Sequence, residues 1–246
     1  NNRKKLLYSK DIAFTKSGKT INIMANIGST EDGEKAFEYG ADGVGLLRTE
    51  LCFINSTVVP DEETHYKTYK KILETIPEKN CTLRLLDFGS DKKVSYLPIS
   101  SEENPAIGNR ALRLGFIFYE SLLKPQIRSF LRLSKIFKIK ILCPMITTPD
   151  DLIQVKNAIK QEQEELNLLG EEITKIPEIG IMVEVPNVAI NPLDFVSNAD
   201  FFSFGTNDLA QFLMAADRSN EKVSHYLEQA NHSVIKLIKD FTKAIK

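Results

Sequence analysis

Six short apolar runs are the feature that most constrains the fold of this chain. They alternate with amphipathic, helix-like stretches and lie at INIMANI (21–27), DGVGLLR (42–48), CTLRLLDF (81–88), IKILCPMI (139–146), EIGIMVEV (178–185) and DFFSFG (200–205). The runs are almost continuously apolar, which is typical of parallel strands buried on both faces. Repeated strand–helix units with no block of consecutive strands predict a parallel α/β fold.

The number of units limits which parallel fold is possible. At 246 residues the chain has the length of one large α/β domain or two small ones. A closed (β/α)₈ TIM-type barrel needs eight units, whereas six are readable here because insertions at about 51–66 and 89–110 take up length. We therefore expect one domain over 1–246, a barrel truncated to about six units. Strands 21–27 and 200–205 should then keep edges that no strand of this chain closes.

Two helices stand out by their spacing of apolar residues. The first is predicted over 149–169, where Thr148 can cap the helix, Pro149 suits its first turn and Gly170 can end it. The second is predicted over 232–246, where apolar residues recur at helical spacing.

Composition excludes several classes of function. The 32 basic and 33 acidic residues give a net charge of −1, which argues against nucleic acid as the main partner. No apolar run is long enough for membrane insertion, and the N-terminus has no secretory signal. Cys52, Cys81 and Cys143 lack a metal-binding spacing and fit a reducing cytoplasm. Because residue 1 is Asn rather than Met, we expect a fragment of a longer protein.

Acidic and amide side chains follow the last two apolar runs. If both runs are parallel strands, Glu184 and Asp208 meet at the same rim, where two carboxylates suit a hard divalent cation. Arg218, ten residues after Asp208, could bring positive charge to an anionic substrate. Alternatively, Asn207 and Asp208 cap a helix, or Thr206 caps it and leaves both side chains available.

Two arginines lie at or within strand-like runs. Arg84 is flanked by leucines, and a charge in a buried strand is costly unless it is paired or faces a polar cavity. Its guanidinium could bind a phosphate or carboxylate through two parallel hydrogen bonds, or form a buried ion pair with Asp87 or Asp91. Arg48 ends the second run and, taken alone, is better explained by an ion pair with Glu50 or another acid.

Further basic residues follow the third run. The loop DFGSDKK (87–93) carries Lys92 and Lys93 and is either a phosphate-binding loop or an ordinary turn. Arg110 and Arg113 begin a predicted helix, whose N-terminus favours an anion, although Arg113 could equally belong to a solvated face. The histidines have no spaced partners and are interpreted as surface or structural residues: His65, His225 and His232.

Taken together, five segments resemble the phosphoenolpyruvate-utilising enzymes. They are GADGVGLLRTE, RLLDFGSDK, EENPAIGNRALRL, IGIMVEVP and FFSFGTNDLAQF followed by ADRSN, and the resemblance covers about 20–240. The pattern is most similar to the C-terminal domain of enzyme I of the bacterial phosphoenolpyruvate–sugar phosphotransferase system. The resemblance implies a (β/α)₈ barrel that binds phosphoenolpyruvate and Mg²⁺ and that usually forms a homodimer.

The resemblance also assigns roles to individual residues. It implies that substrate is bound by Arg48, Arg84, Asn207, Asp208 and Arg218, and that the magnesium ligands are Glu184 and Asp208. Arg110 and Lys92 match basic positions near the same site. The implied reaction passes the phosphoryl group to an enzyme histidine and then to the histidine phosphocarrier protein, for sugar uptake.

The chain departs from the family pattern at several points. Ser90 replaces a usual glycine, Val185 replaces a common threonine, and no CGE-type motif supplies the cysteine that protonates the enolate to give pyruvate. The phosphohistidine domain is also absent, so we expect no catalytic residue in this chain and at most ligand binding by it. The alternatives are a fragment of pyruvate phosphate dikinase or phosphoenolpyruvate synthase, and a non-catalytic module that only dimerises.

Overall fold

The structure, a computed structural model, describes residues 11–54, 56–76, 80–89, 94 and 96–246. These residues fall into two compact units. The first takes in residues up to Ile141 together with Glu162–Pro177, and the second takes in Leu142–Gln161 with Glu178–Lys246. The expectation of one domain over 1–246 stays a prediction.

Strands and helices alternate along most of the described chain. Up to the middle of the chain the elements are β1 (Ala13–Phe14), β2 (Thr20–Ile21), β3 (Met24–Ile27), α1 (Thr30–Glu38), β4 (Gly43–Leu47), α2 (Glu50–Ile54), α3 (Glu62–Leu73), β5 (Cys81–Arg84), α4 (Leu112–Ile117), a π-helical turn (Tyr119–Leu123) and α5 (Lys124–Leu133). They are followed by β6 (Ile139–Cys143), α6 (Pro149–Leu168), β7 (Ile179–Val183), α7 (Pro186–Ile190), α8 (Leu193–Val196), β8 (Phe201–Phe204), α9 (Thr206–Met214) and α10 (His225–Ala244).

The sheet confirms the predicted fold class. Each of the six apolar runs contains one strand, and the strand order β3-β4-β5-β6-β7-β8 follows the order of the chain. The pairs β3–β4, β4–β5 and β7–β8 are all parallel. Parallel neighbours in chain order are the arrangement of a (β/α)₈ barrel. Among the described residues, β3 and β8 are the terminal strands, as expected for a barrel truncated to six units.

Local signals set the ends of α6 close to the predicted bounds. The carboxylate of Asp151 accepts hydrogen bonds from the backbone N–H groups of Thr147 and Thr148, each at 2.8 Å. These two bonds satisfy backbone donors at the start of the helix, and Asp151 reaches back to the Thr148 N–H as the acidic member of a capping box does. The predicted cap by the Thr148 hydroxyl stays a prediction. After the helix, Gly170 has a φ of +88°, a conformation that glycine adopts without strain.

Helix α10 begins at His225, seven residues before the predicted start at 232. Its buried aromatic residue is Phe241, whose ring lies 5.0 Å from that of Phe202 and 5.2 Å from that of Phe204. The helix therefore packs its apolar face against β8. None of the helices in the described part of the chain is both long and apolar enough to cross a membrane.

Candidate functional site

A buried ion network lies at the end of β5, in the first unit. Two guanidinium nitrogens of Arg84 lie 2.8 Å from Glu50 Oε1 and 2.8 Å from Asp87 Oδ2. Arg110 Nη2 lies 2.7 Å from the other oxygen of Asp87. The four side chains are at most 10% exposed. The ion pair between Arg84 and Asp87 is therefore present, and Glu50 pairs with Arg84 instead of Arg48.

The four side chains named here carry two positive and two negative charges. Desolvating each charge is expensive, and short, direct contacts offset that cost. Because two carboxylates hold Arg84, its guanidinium is fixed in orientation at the strand end. Asp87 also links Arg84 to Arg110, so the two arginines are oriented together.

Arg48 has a different environment, although it follows the neighbouring strand β4. Its backbone N–H donates to the carbonyl of Ile27 at 2.8 Å, while its side chain is exposed. Within the part of the chain that the structure describes, no carboxylate forms an ion pair with its guanidinium. Arg48 lines a cavity of about 280 Å³ whose other lining residues are Gly28, Leu51, Cys52, Ser56, Thr64, Thr68, Tyr69 and Ile72.

The cavity beside Arg48 is lined by both polar and apolar residues, with no acidic residue among them. Ser56, Thr64 and Thr68 are the hydroxyl-bearing residues of this lining, besides Tyr69. Burial raises the pKa of the Cys52 thiol, and hydrogen bonds to Thr68 and Tyr69 only partly offset this effect. The thiol therefore stays protonated at neutral pH, and Arg48 supplies the formal charge of the wall. Such a cavity favours a small anion.

Glu184 is the first residue after β7, in the second unit, and is fully buried. Its Oε1 accepts a hydrogen bond of 2.7 Å from the backbone N–H of Met145, a residue whose φ of +54° is unusual for a side chain of this size. On its other side lies Gly205, where an added Cβ would come within 2.8 Å of both Cβ and Oε2 of Glu184. These two neighbours fix the orientation of the carboxylate.

The first turn of α9 carries Asn207 and Asp208. Gly205 is the N-cap and no side chain caps the helix, so both residues lie inside it and the capping alternatives for them and for Thr206 are wrong. Asp208 is buried and its Oδ2 lies 3.4 Å from Nη1 of Arg218, whereas Asn207 is exposed. The positive end of the helix dipole favours acidic groups and anions at this turn.

Gln211, which the sequence did not single out, fixes the backbone of Arg218. Its Oε1 accepts a hydrogen bond of 3.0 Å from the Arg218 N–H. In the sequence, this contact is signalled only by a glutamine one turn after the Asn-Asp pair. A single glutamine in a helix does not predict such a bond.

The second unit carries two carboxylates of the chemical type that binds divalent cations, Glu184 and Asp208. Val183 and Phe204 are partners in the β7–β8 register, so Glu184 and Asp208 follow neighbouring strand ends. Among the described residues, no group of three or more metal-ligating side chains occurs. Enzyme-bound Mg²⁺ usually takes one or two carboxylates and completes its shell with water and substrate oxygens. A pair of carboxylates therefore fits an ion that is bound together with substrate.

Two of the basic residues predicted after β5 remain untested. Lys92 and Lys93 lie outside the described residues, as do Ser90 and Asp91, so the predicted phosphate-binding loop stays a prediction. Arg113 is exposed and donates hydrogen bonds to the carbonyls of Ile107 and Gly108, at 2.9 and 3.3 Å.

His65 is a buried structural residue, while the other two histidines are exposed. Its Nδ1 lies 2.9 Å from the hydroxyl of Tyr69. Burial lowers the pKa of His65 from its usual 6.5 to about 4, against a smaller opposing effect of Asp61. The imidazole is therefore neutral at physiological pH.

The lowered pKa of His65 predicts a loss of stability on mild acidification. Because the unfolded chain takes up this proton at higher pH than the folded chain, stability falls as the pH falls from 6.5 towards 4. From pH 7 to pH 5 the loss from this group is about 2 kcal/mol. Urea unfolding of the wild type should show this loss, and His65→Gln should show a correspondingly smaller one. An unchanged loss in His65→Gln, or an equal reduction in the exposed control His232→Gln, would contradict the assignment.

Parallel strands that end in arginines and carboxylates define an α/β domain of the kind that binds small anionic ligands. The sequence profile of the phosphoenolpyruvate-utilising enzymes, for their phosphoenolpyruvate-binding domain, matches residues 3–246. The chain belongs to this family, which confirms the resemblance found in its motifs.

Curated relatives are named phosphoenolpyruvate-protein phosphotransferase. Those from Latilactobacillus sakei and Staphylococcus carnosus (strain TM300) are each 38% identical over 232 residues, and that from Staphylococcus aureus (strain MSSA476) is 39% identical over 230 residues. Each comparison covers 94% of this chain and 40% of the relative, so the chain spans about two fifths of the length of these proteins.

Among solved structures, a citrate lyase from Burkholderia xenovorans LB400 is 13% identical with a TM-score of 0.46. The match covers 90% of this chain and 61% of the lyase chain, and the likeness is too weak to bear on function.

Proposed function

We propose that this chain is the phosphoenolpyruvate-binding part of a phosphoenolpyruvate–protein phosphotransferase, enzyme I of the sugar phosphotransferase system. The observation that carries the proposal is Arg48, an exposed arginine with no ion pair among the described residues, which lines a cavity of about 280 Å³. Membership of the family and the names of the relatives support it.

The proposed ligand explains why the strand ends carry these residue types. Phosphoenolpyruvate is a compact polyanion whose phosphate and carboxylate both suit the paired N–H donors of arginine. We assign its binding to five side chains: Arg48, Arg84, Asn207, Asp208 and Arg218. Arg84 contributes an oriented charge, since Glu50 and Asp87 already accept hydrogen bonds from its guanidinium.

Glu184 and Asp208 are the proposed ligands of Mg²⁺. The bound ion would supply positive charge to the substrate oxygens where negative charge develops. The Met145 N–H and the backbone of Gly205 orient the Glu184 carboxylate, which reduces the ordering needed when a cation binds. Arg218 neutralises part of the charge on Asp208 in the absence of a cation.

The proposed reaction transfers the phosphoryl group to a histidine of the enzyme and then to the histidine phosphocarrier protein. Such transfer depends mainly on positioning and charge stabilisation, which the arginines of this chain can supply. We place the accepting histidine and the proton-donating cysteine outside these 246 residues. His65, Cys81 and Cys143 are unsuited to these roles, because His65 is fully buried and burial raises the pKa of both thiols.

A cytoplasmic location and a homodimer complete the proposal. The three free cysteines are consistent with a reducing compartment. The homodimer rests only on the family resemblance.

Replacement of Arg48 tests the proposed function. Arg48→Ala should weaken phosphoenolpyruvate binding by roughly 10- to 100-fold, because a charged hydrogen-bonding group is worth about 1.5 to 3 kcal/mol. The affinity of Arg48→Lys should lie between those of the wild type and Arg48→Ala, since lysine keeps the charge and loses the paired donors. The measurement is calorimetric titration with phosphoenolpyruvate in the presence of Mg²⁺.

The control for this test is Arg113→Ala, which removes an exposed arginine that does not line the cavity. Its affinity should stay within about twofold of the wild type, in line with most surface substitutions. Equal affinities in the wild type and Arg48→Ala would overturn the proposed site.

A further inference from the structure

A buried hydrogen-bond cluster lies beside the ion network, and the proposed function does not use it. Its centre is Gln126 of α5, which is fully buried. Gln126 Nε2 donates to Thr49 Oγ1 at 2.9 Å and to the Tyr69 hydroxyl at 3.2 Å, while Oε1 accepts from the Leu86 N–H at 2.9 Å. Both N–H donors and the carbonyl of the amide are therefore engaged. We call these four residues the Gln126 cluster.

The cluster holds the chain where the sheet ladder stops. The last register pair of β4 and β5 is Leu47 with Leu83, and the register shifts just before it. Beyond this pair, the Thr49 hydroxyl donates to the carbonyl of Arg84 at 2.5 Å, and Gln126 takes the N–H of Leu86. Side chains thus satisfy two backbone groups at the end of β5 and just beyond it.

These contacts lie next to the two arginines of the proposed site. Thr49 directly follows Arg48, and its hydroxyl binds the backbone of Arg84 itself. A buried amide is costly unless its hydrogen bonds are made, so a fully bonded glutamine specifies one geometry of its partners. An apolar residue at position 126 would remove the acceptor of the Leu86 N–H.

We propose that Gln126 is a positioning residue for phosphoenolpyruvate binding, a role that rests on the proposed function of the chain. Gln126 acts through Thr49 and Leu86 to hold the ends of β4 and β5. In this way it fixes the backbone from which Arg48 and Arg84 reach the ligand. Tyr69 fixes the other side of the amide, and its hydroxyl also donates to the carbonyl of Thr49 at 3.3 Å.

Three variants test this role by calorimetry with phosphoenolpyruvate and Mg²⁺. Gln126→Met keeps a side chain of similar length without its hydrogen bonds, and Thr49→Val keeps the branched shape without the hydroxyl. Each should weaken binding about tenfold, because small displacements of binding groups are expensive. Thr49→Ser retains the hydroxyl and should bind within about twofold of the wild type.

Ser129→Ala provides a matched control on the same helix. Ser129 is also fully buried, but its hydroxyl donates to the backbone carbonyl of Gln126 at 2.7 Å, inside the helix. Its removal should lower stability while leaving the affinity unchanged. The positioning role is overturned if Gln126→Met binds like the wild type, or if Ser129→Ala weakens binding as much as Gln126→Met.

Hydrogen exchange separates this inference from the proposed function. If the wild type itself does not bind phosphoenolpyruvate, the proposed function fails. The exchange rate of the Leu86 amide then tests separately whether Gln126 holds the strand end. Faster exchange of this amide in Gln126→Met than in Ser129→Ala supports the positioning of the strand end. Equal exchange in the two variants overturns it.

Discussion

Replacement of Arg84 by methionine should lower the free energy of unfolding by about 3 to 5 kcal/mol, the usual cost of removing one partner from a buried ion pair. Glu50 and Asp87 would each lose a contact of 2.8 Å, and only Asp87 keeps a second arginine, Arg110. The variant should also lose phosphoenolpyruvate binding, because the oriented charge at the end of β5 is gone. Urea unfolding at pH 7 measures the stability, and calorimetry measures the binding.

A double variant identifies the source of the lost stability. In Glu50→Gln/Arg84→Met the uncompensated carboxylate becomes neutral, so the double variant should be more stable than Arg84→Met alone. Arg113→Met serves as the control, since it removes an exposed arginine and should cost less than about 1 kcal/mol. A loss of under about 1 kcal/mol in Arg84→Met would show that the network contributes little.

Replacement of Glu184 by glutamine should abolish the effect of Mg²⁺ on phosphoenolpyruvate binding. Glutamine keeps the shape and still offers an oxygen to the Met145 N–H, but it lacks the negative charge that a hard cation needs. The affinity for Mg²⁺ should fall by more than about 100-fold, since even residues that only support metal ligands are worth 10- to 100-fold. The measurement compares titrations with Mg²⁺ and with a chelator.

The control for Glu184 is Asp240→Asn, which neutralises an exposed carboxylate of α10 that pairs with Lys236. Its response to Mg²⁺ should match that of the wild type. If Glu184→Gln is folded, as judged by its thermal unfolding, and still responds to Mg²⁺ like the wild type, Glu184 is not a metal ligand.

The strands could be predicted from the sequence because their runs are mainly apolar. This holds for β7, which is fully buried, and also for the terminal strands β3 and β8, which are not covered on both faces. The residues at which the strands end could not be predicted. The run at 81–88 continues for four residues beyond β5, since Leu85 and Leu86 are buried although they leave the sheet ladder. The early start of α10 was missed for the opposite reason, because the apolar spacing is clear only in its second half.

The candidate residues could be found from their positions at strand ends, whereas their partners could not. Glu50 was considered as a partner of Arg48, but the structure pairs it with Arg84, because ion-pair choice depends on strand register and side-chain direction. Gln126 gave no signal, since one glutamine in an amphipathic helix is ordinary in sequence. Its role depends on three groups far away in the chain.

The close approach of Gly205 to Glu184 links the variation of two positions. An alanine at 205 would place its methyl group 2.8 Å from Cβ and Oε2 of the glutamate, closer than nonbonded atoms tolerate. A shorter acid at 184 would relieve only part of this overlap, and it would withdraw the carboxylate from the Met145 N–H. The glycine after β8 therefore leaves the space that the acidic side chain on the neighbouring strand occupies, and any larger residue at 205 would displace that side chain.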